Sequence, residues 1–377
     1  MRCGETPLRN SYSIILNPGK LGATVASDMN TLHQLILREV EILFRPFAHR
    51  KIQLPTRIVM AQEQAPYGLE PQGMMQYYRY RAANEVGLIL TAPVAIDDVS
   101  AAADMQTPLF YGGTALRTWK QICRVVHATH CKIAPLLRHA GMCRAEGESV
   151  PHPEAAPIGP SGINPYTLKQ SGETISSSRM SQVVEAYAKA ALAAKELNFD
   201  AVEIDGAAGS LIDQFFRAET NHRHDVYSAQ AIARTRFAAD IIHAIRKKVG
   251  KNFPIIFRFS QRGIGQCRTR LANTPEELAE FLQPLRNAGV DIFHCTGSPF
   301  SLPEFEGSGL NLAGWTRIIT GAPVISTGEE ATQSHKNLQK LYKMMQREEV
   351  DLISLMGELN TDPTWASQLH RGDAPKR

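Results

Sequence analysis

The sequence holds no Cys-x-x-Cys pair among its six cysteines, Cys3, Cys123, Cys131, Cys143, Cys267 and Cys295. With Cys131 and Cys295 also lying in strand-like apolar runs, neither a disulfide framework nor a cysteine-ligated cluster is expected, and reduced, largely buried thiols in a cytoplasmic protein are the expectation. No apolar run approaches the ~18 residues of a membrane-spanning helix, so no membrane partner is expected. Dense Lys/Arg runs are missing, and a formal net charge of +4 is small for 377 residues. Nothing therefore points to nucleic acid or to a charged membrane surface. There is no GxGxxG turn, the usual mark of an open dinucleotide-binding sheet. His222 with His224, and His127 with His130, have no third ligand at a telling spacing, so no metal site is expected. Acid is scarce at the amino end, where Glu5 is the sole carboxylate up to Ala26. With neither an apolar signal core nor an Arg-rich amphipathic helix, residues 1–42 are expected to form a poorly ordered extension rather than an address. Residues 29–43 do carry helical apolar spacing and should cover one face of the body.

What is present is alternation. The hydrophobic share of 43% and charged share of 21% are those of a globular protein. Short apolar runs at 57–61, 87–91, 132–137, 201–204, 255–259, 291–295, 323–326 and 351–355 read as strands buried on both faces. Helical patterns lie between them, at 114–127, 181–197 and 235–249. Another starts at Thr274-Pro275-Glu276-Glu277, a capping box with proline in the first helical position. Eight strands, each followed by a helix, predict an α/β chain folded as a closed (β/α)8 TIM barrel, one domain over residues 43–377 after the extension. An open doubly wound sheet is the runner-up. Two long stretches rich in small and polar residues, 141–178 and 298–309, read as loops covering a site.

The stretch 202–216, VEIDGAAGSLIDQFF, holds the centre of this pattern. Val202 and Ile204 end a buried strand, Asp205 stands at its tip, and Gly206 and Gly209 allow a tight turn into an apolar helix. Side chains at the carboxyl ends of barrel strands face the active site.

These motifs, with LPTRIVMA (54–61), YYRYRA (77–82), KIAPLLRHAG (132–141), RFS (258–260), the run 291–316 and DPTWA (362–366), resemble the old yellow enzyme family of FMN-dependent NAD(P)H:flavin oxidoreductases. The resemblance runs from about residue 43 to 372. It implies FMN across the barrel mouth, NAD(P)H as electron donor, and an activated alkene or enone-type small molecule as substrate; a homo-oligomer is compatible with it. Ala61, Arg258, Gly328 and Gly357 match family positions that hold the cofactor, and His139 matches a family histidine here read as a packed structural one.

At other positions the chain departs from the family. Leu136 stands for the glutamine that pairs with the flavin pyrimidine edge, and Arg138 for a tryptophan. Glu329 and Glu330 follow Gly328, and Glu358 replaces the arginine that binds the phosphate. A dianion needs backbone N–H groups and a guanidinium fork. Two unit charges about 4 Å apart interact by roughly 4 kcal/mol at an effective dielectric of 20. In the family pattern HGAHGYL, two histidines polarise the substrate and the tyrosine gives a proton; Asp205, Ala208 and Ser210 stand there instead.

Three readings follow. One is a flavin oxidoreductase with a divergent pocket. A second is a flavin-independent isomerase, cyclase or lyase, with Asp205 and Glu63 as acid–base groups and Arg138 and Arg258 holding a developing enolate. The third is a non-catalytic partner protein.

Overall fold

The computed structural model describes residues 38–50, 52–61, 70–328, 334–355 and 357–372. Eight parallel strands close into a barrel, β1 (Ile58–Met60), β2 (Leu88–Ala95), β3 (Lys132–Arg138), β4 (Val202–Gly206), β5 (Ile255–Ser260), β6 (Ile292–Thr296), β7 (Val324–Thr327) and β8 (Leu352–Ser354), with β8 pairing back onto β1. A helix follows each strand: α1 (Pro71–Ala82), α2 (Gly113–His127), α3 (Ser177–Glu196), α4 (Arg236–Val249), α5 (Pro275–Ala288), α6 (Leu312–Thr320), α7 (His335–Gln346) and α8 (Trp365–Arg371). This is the (β/α)8 architecture that the alternation predicts.

Each strand is buried on both faces, which is why the runs are apolar throughout. The helix-facing side chains, among them Ile133, Val202, Ile204, Phe257, Phe259 and Phe293, join one large core. The inward-facing Val59, Leu88, Ala134, Ile256, Ile292 and Leu352 form a second, smaller cluster. An antiparallel hairpin of Phe47–His49 and Ile52–Leu54 stops the amino-terminal end of the barrel, with Phe47, Ile52 and Leu54 packed into that inner cluster. The sequence pattern does not reveal this hairpin, because three-residue strands are too short to display a period of two.

Boundaries differ where local chemistry intervenes. Strand β2 runs to Ala95, past Pro93, and the register with β3 slips between Leu90 and Pro93. The irregularity accommodates a residue that has no N–H to give. Helix α3 starts at Ser177, four residues before the apolar pattern does, because Ser176 Oγ accepts the Arg179 N–H at 3.2 Å. Helix α5 starts as the capping box dictates, with Thr274 Oγ1 accepting from Glu277 N–H at 3.3 Å. Of the helical pattern at 29–43, residues 29–37 lie outside the described residues, and Glu41–Phe44 forms a 3-10 turn with Ile42 and Leu43 buried.

The long loops gather at the carboxyl ends of the strands. The one at 141–178 carries a small ladder between Ile158–Gly159 and Glu173–Thr174. The one at 298–309 is anchored by Glu304, which accepts from Gln261 Nε2 at 2.8 Å and pairs with Arg270. Among the described residues no helix is long and apolar enough to cross a membrane.

Candidate active site

Strand alternation decides which side chains reach the interior. Since Ala134, Ile256, Ile292 and Leu352 face inward, so do the residues two further on in each strand. Leu136 and Arg138 on β3, Arg258 and Ser260 on β5, His294 on β6 and Ser354 on β8 therefore share the interior with Glu203 and Asp205 of β4. Polar residues thus replace apolar ones in two steps toward the mouth.

The deeper step is a buried relay. His294 Nδ1 lies 2.6 Å from Glu203 Oε1, and His294 Nε2 lies 3.3 Å from Ser354 Oγ. The sequence reading missed these three residues. Glu203 was detectable, being two positions before Asp205 and so on the same side of the strand.

The upper step is an ion pair. Arg138 Nη1 donates to Asp205 Oδ2 at 3.1 Å, and Arg138 Nη2 donates to the Ala208 carbonyl at 2.9 Å. The other carboxylate oxygen of Asp205 accepts the Ala207 N–H at 3.1 Å. Asp205 is fully buried, whereas Arg138 keeps 16% of its side chain exposed. The guanidinium is thus the part of the pair that meets the mouth. Arg258 is buried and stands in register with both Asp205 and His294.

The turn after β4 is held from several sides. Ala208 adopts a positive φ of 49°, uncommon for a residue with a Cβ. Gly209, at φ 69°, has no room for a Cβ, which would sit 2.2 Å from Ile264 Cδ1. Ser210 is fully buried, donates its hydroxyl to the Asp205 carbonyl at 2.6 Å and caps the short helix Leu211–Phe216 through the Asp213 N–H. Its hydroxyl is directed into the turn rather than toward a substrate. Asp213 accepts from Gly209 N–H and pairs with the buried Arg217 at 2.8 Å.

Cys143 borders the same corner, but burial pushes its thiol up to about 12 against the pull of Arg138, so it offers no thiolate. His139 is packed in the structural role expected of it. Its Nδ1 accepts the Gly141 N–H at 3.0 Å, and its Nε2 lies 3.3 Å from Asp98, which Arg179 also reaches at 2.7 Å. Among the described residues no group of three or more His, Cys, Asp or Glu side chains is placed to hold a metal ion.

The remaining expected positions surround the mouth. Ala61 follows β1 and belongs to the inner cluster. Gly328 follows β7 and gives its N–H to the Ser354 carbonyl at 2.9 Å. A Cβ on it would fall 2.2 Å from Ile353 Cγ1. Gly357 opens the short helix Gly357–Thr361 with Glu358 next in its first turn. Glu63, Glu329 and Glu330 lie outside the described residues.

A model of the NADH:flavin oxidoreductase / NADH oxidase family matches residues 42–375. The chain belongs to this family. Its enzymes are oxidoreductases dependent on FMN and NAD(P)H, and the old yellow enzymes are among them. A metal reductase of Desulforamulus reducens is 31% identical over 68% of the chain, which spans 38% of that relative's length. An NADPH dehydrogenase of Halalkalibacterium halodurans is 27% identical over 86% of the chain and 92% of the relative. Morphinone reductase shares the fold, with a TM-score of 0.71 and 20% identity over 89% of the chain and 91% of that structure.

The described residues fit the family's flavin unevenly. At the ring end, Arg258 is a buried cation at the level of Asp205, and Ala61 is a small, buried member of the inner cluster. Leu136 can neither donate nor accept where a ring edge would need a partner, at a cost of about 1–3 kcal/mol. At the phosphate end the Gly328 N–H is already used, and the residue after Gly357 is an acid. The ring end fits through Arg258 but lacks the edge partner at Leu136; at the phosphate end the guanidinium beside Gly357–Thr361, that of Arg81, is spent on the Leu359 and Asn360 carbonyls at 3.0 and 3.1 Å.

Proposed function

We propose that the chain is an NAD(P)H-dependent oxidoreductase that reduces a small activated carbonyl compound, an enone or a similarly polarised alkene, with Arg138 holding the substrate oxygen. The observation that carries this reading is the guanidinium fixed between Asp205 and Ala208 at the mouth. Each of its terminal nitrogens spends one hydrogen on those partners and keeps another for an incoming oxygen. A pre-oriented donor of this kind stabilises negative charge that develops on the oxygen as the alkene is reduced.

Asp205 is a positioning residue in this proposal. Its two oxygens are taken by Arg138 and by the Ala207 N–H, so its charge is compensated and does not oppose an enolate. The same occupancy weakens the flavin-independent reading, in which Asp205 would act as a free base. Ser210 is likewise a positioning residue, tying the Asp205 carbonyl to the helix that follows. With that hydroxyl directed inward, the proton that completes the reduction is drawn from solvent.

Arg258 and Ala61 would hold the flavin ring, with Gly328 and Gly357 beside its phosphate end. When bound, FMN supplies the hydride it has received from NAD(P)H. The test is to incubate the protein with FMN, add NADPH without oxygen, and then add 2-cyclohexen-1-one while following flavin absorbance. Bleaching followed by recovery is expected. Arg138→Met should slow the recovery by about 100-fold or more while sparing the bleaching, as for loss of an oxyanion donor. A protein that stays colourless with FMN overturns this reading in favour of a non-catalytic binding role.

A further inference from the structure

The end of the barrel remote from the mouth carries a second concentration of charge. A cavity of about 670 Å³ opens where Arg57 precedes β1 and Asp351 precedes β8, lined by Arg45, Arg57, Arg317 and Arg347 with Glu348 and Asp351. Four guanidinium groups therefore face two carboxylates. Cavities of this size lie in the range that takes small metabolites.

The cations are incompletely neutralised. Arg57 Nη1 donates to the Asp351 main-chain carbonyl at 3.1 Å, and its guanidinium stands 5.9 Å from the centre of the Phe47 ring. Arg317 reaches the Asp351 carboxylate at 3.3 Å and the Gly321 carbonyl at 2.9 Å. That carboxylate also accepts the Val324 N–H at 3.0 Å, so it is already shared. Arg347 stands 3.7 Å from Glu349 with 72% of its side chain exposed, a weak rim pair. Arg45 makes no ion pair among the described residues. The Nε–H of Arg57 is buried without an acceptor among the described residues, and that of Arg317 faces only the shared Asp351 carboxylate, at 3.3 Å and outside hydrogen-bond geometry. Buried donors ordinarily have acceptors, and like charges lining one cavity favour an anion between them.

The electrostatics agree. Burial depresses the Arg57 guanidinium and the like charge of Arg45 adds to that, while Asp351 and Glu348 oppose it. Burial raises the Asp351 carboxyl against the Val324 N–H and the charges of Arg317 and Arg57.

We propose that this cavity binds a phosphate dianion, carried on a small phosphate monoester, at a site separate from the barrel mouth. The excess of two positive charges matches a dianion, and guanidinium forks match phosphoryl oxygens. The volume exceeds what a bare phosphate fills, which leaves space for the organic part of an ester.

Titration calorimetry at low ionic strength tests this on the full chain, with inorganic phosphate and glycerol 3-phosphate as separate probes. One saturable site is expected, tighter for the ester and weakened by added salt. Arg45→Ala/Arg347→Ala, two changes at exposed positions, should weaken it by about tenfold or more, roughly 1.4 kcal/mol. Glu348→Gln should tighten it, and Arg138→Met should leave it unchanged. Saturable binding of phosphate without preference for the ester keeps the site and assigns it to the free ion. Absence of saturable heat with both probes overturns the proposal. So does binding that survives the double arginine change, or that is lost in an Arg138→Met protein shown by circular dichroism to be folded.

Discussion

Arg138 Nη1 lies 3.1 Å from Asp205 Oδ2, joining the tips of β3 and β4 across residues 67 apart in sequence. The pair is unequal, because Asp205 is fully buried and Arg138 is 16% exposed. Removing the arginine strands a buried carboxylate, whereas removing the acid leaves a cation that can turn toward water. Arg138→Met should therefore lower the unfolding free energy by about 3–5 kcal/mol. Asp205→Asn should cost only about 1–2 kcal/mol, the scale of a lost hydrogen bond. The double variant should be more stable than Arg138→Met alone. Urea unfolding of the three variants measures this, and equal costs for the two single changes would contradict the asymmetry.

The barrel was legible because its strands are buried on both faces and write themselves as apolar runs. The site was legible only in part. Asp205, Ser210 and Arg138 could be placed at the mouth, but partnership could not. An aspartate read alone looks like a repulsive charge; the register of Leu137 with Ile204 is what brings Arg138 beside it. Ser210 stands where the family has a proton-giving tyrosine, and only the turn shows that its hydroxyl is spent on the Asp205 carbonyl. Contacts of this kind depend on backbone closure over long separations, which no local period encodes.

Acid should destabilise the network that ties Asp98 to the loop after β3. Burial alone would raise the Asp98 carboxyl, but His139, the Ser100 N–H and Arg179 together hold it well below the usual carboxylate range. A folded value below the unfolded one, about 3.9, stabilises the fold above that pH and loses its contribution as pH falls toward the folded value. Asp98→Asn removes this dependence. Between pH 6 and pH 2 the wild type should lose more of its urea midpoint than the variant does; parallel losses would count against the assignment.

The phosphate end gives a cofactor prediction that separates charge from shape. Glu358→Arg, in the first turn of Gly357–Thr361, replaces an acid by a guanidinium beside the proposed phosphate position. FMN affinity should rise by about tenfold or more, roughly 1.4 kcal/mol. Riboflavin, which has no phosphate, should be unaffected. Flavin fluorescence quenching reads both, and equal tightening of the two ligands would place the phosphate elsewhere.

The relay below the mouth should be worth more to stability than its distance from the surface chemistry suggests. Glu203 and His294 are each 1% exposed, with 2.6 Å between Oε1 and Nδ1. His294→Ala leaves the carboxylate unpaired inside the barrel and should cost about 3–5 kcal/mol. Ser354→Ala removes only the longer contact at 3.3 Å and should cost about 0.5–1.5 kcal/mol. Chemical denaturation of both variants decides the order. A larger loss in Ser354→Ala would mean that the hydroxyl, not the carboxylate, anchors His294.

Gly328 matches a family cofactor position, yet its immediate surroundings explain it without a ligand. Its N–H joins the Ser354 carbonyl in the ladder, and the place of a Cβ is filled by Ile353, with Cγ1 at 2.2 Å and Cδ1 at 2.3 Å. Ile353 belongs to the large core, so its branch point cannot swing away. Gly328→Ala should then destabilise by about 1–3 kcal/mol through overpacking. If packing is the reason, the loss is coupled to Ile353: Gly328→Ala in an Ile353→Ala background should cost much less than in the wild type, a non-additivity of the kind expected for touching side chains. Thermal and urea unfolding of the four proteins in this cycle give the coupling directly. Strict additivity would show that the glycine is kept for something other than Ile353, and would return Gly328 to the cofactor.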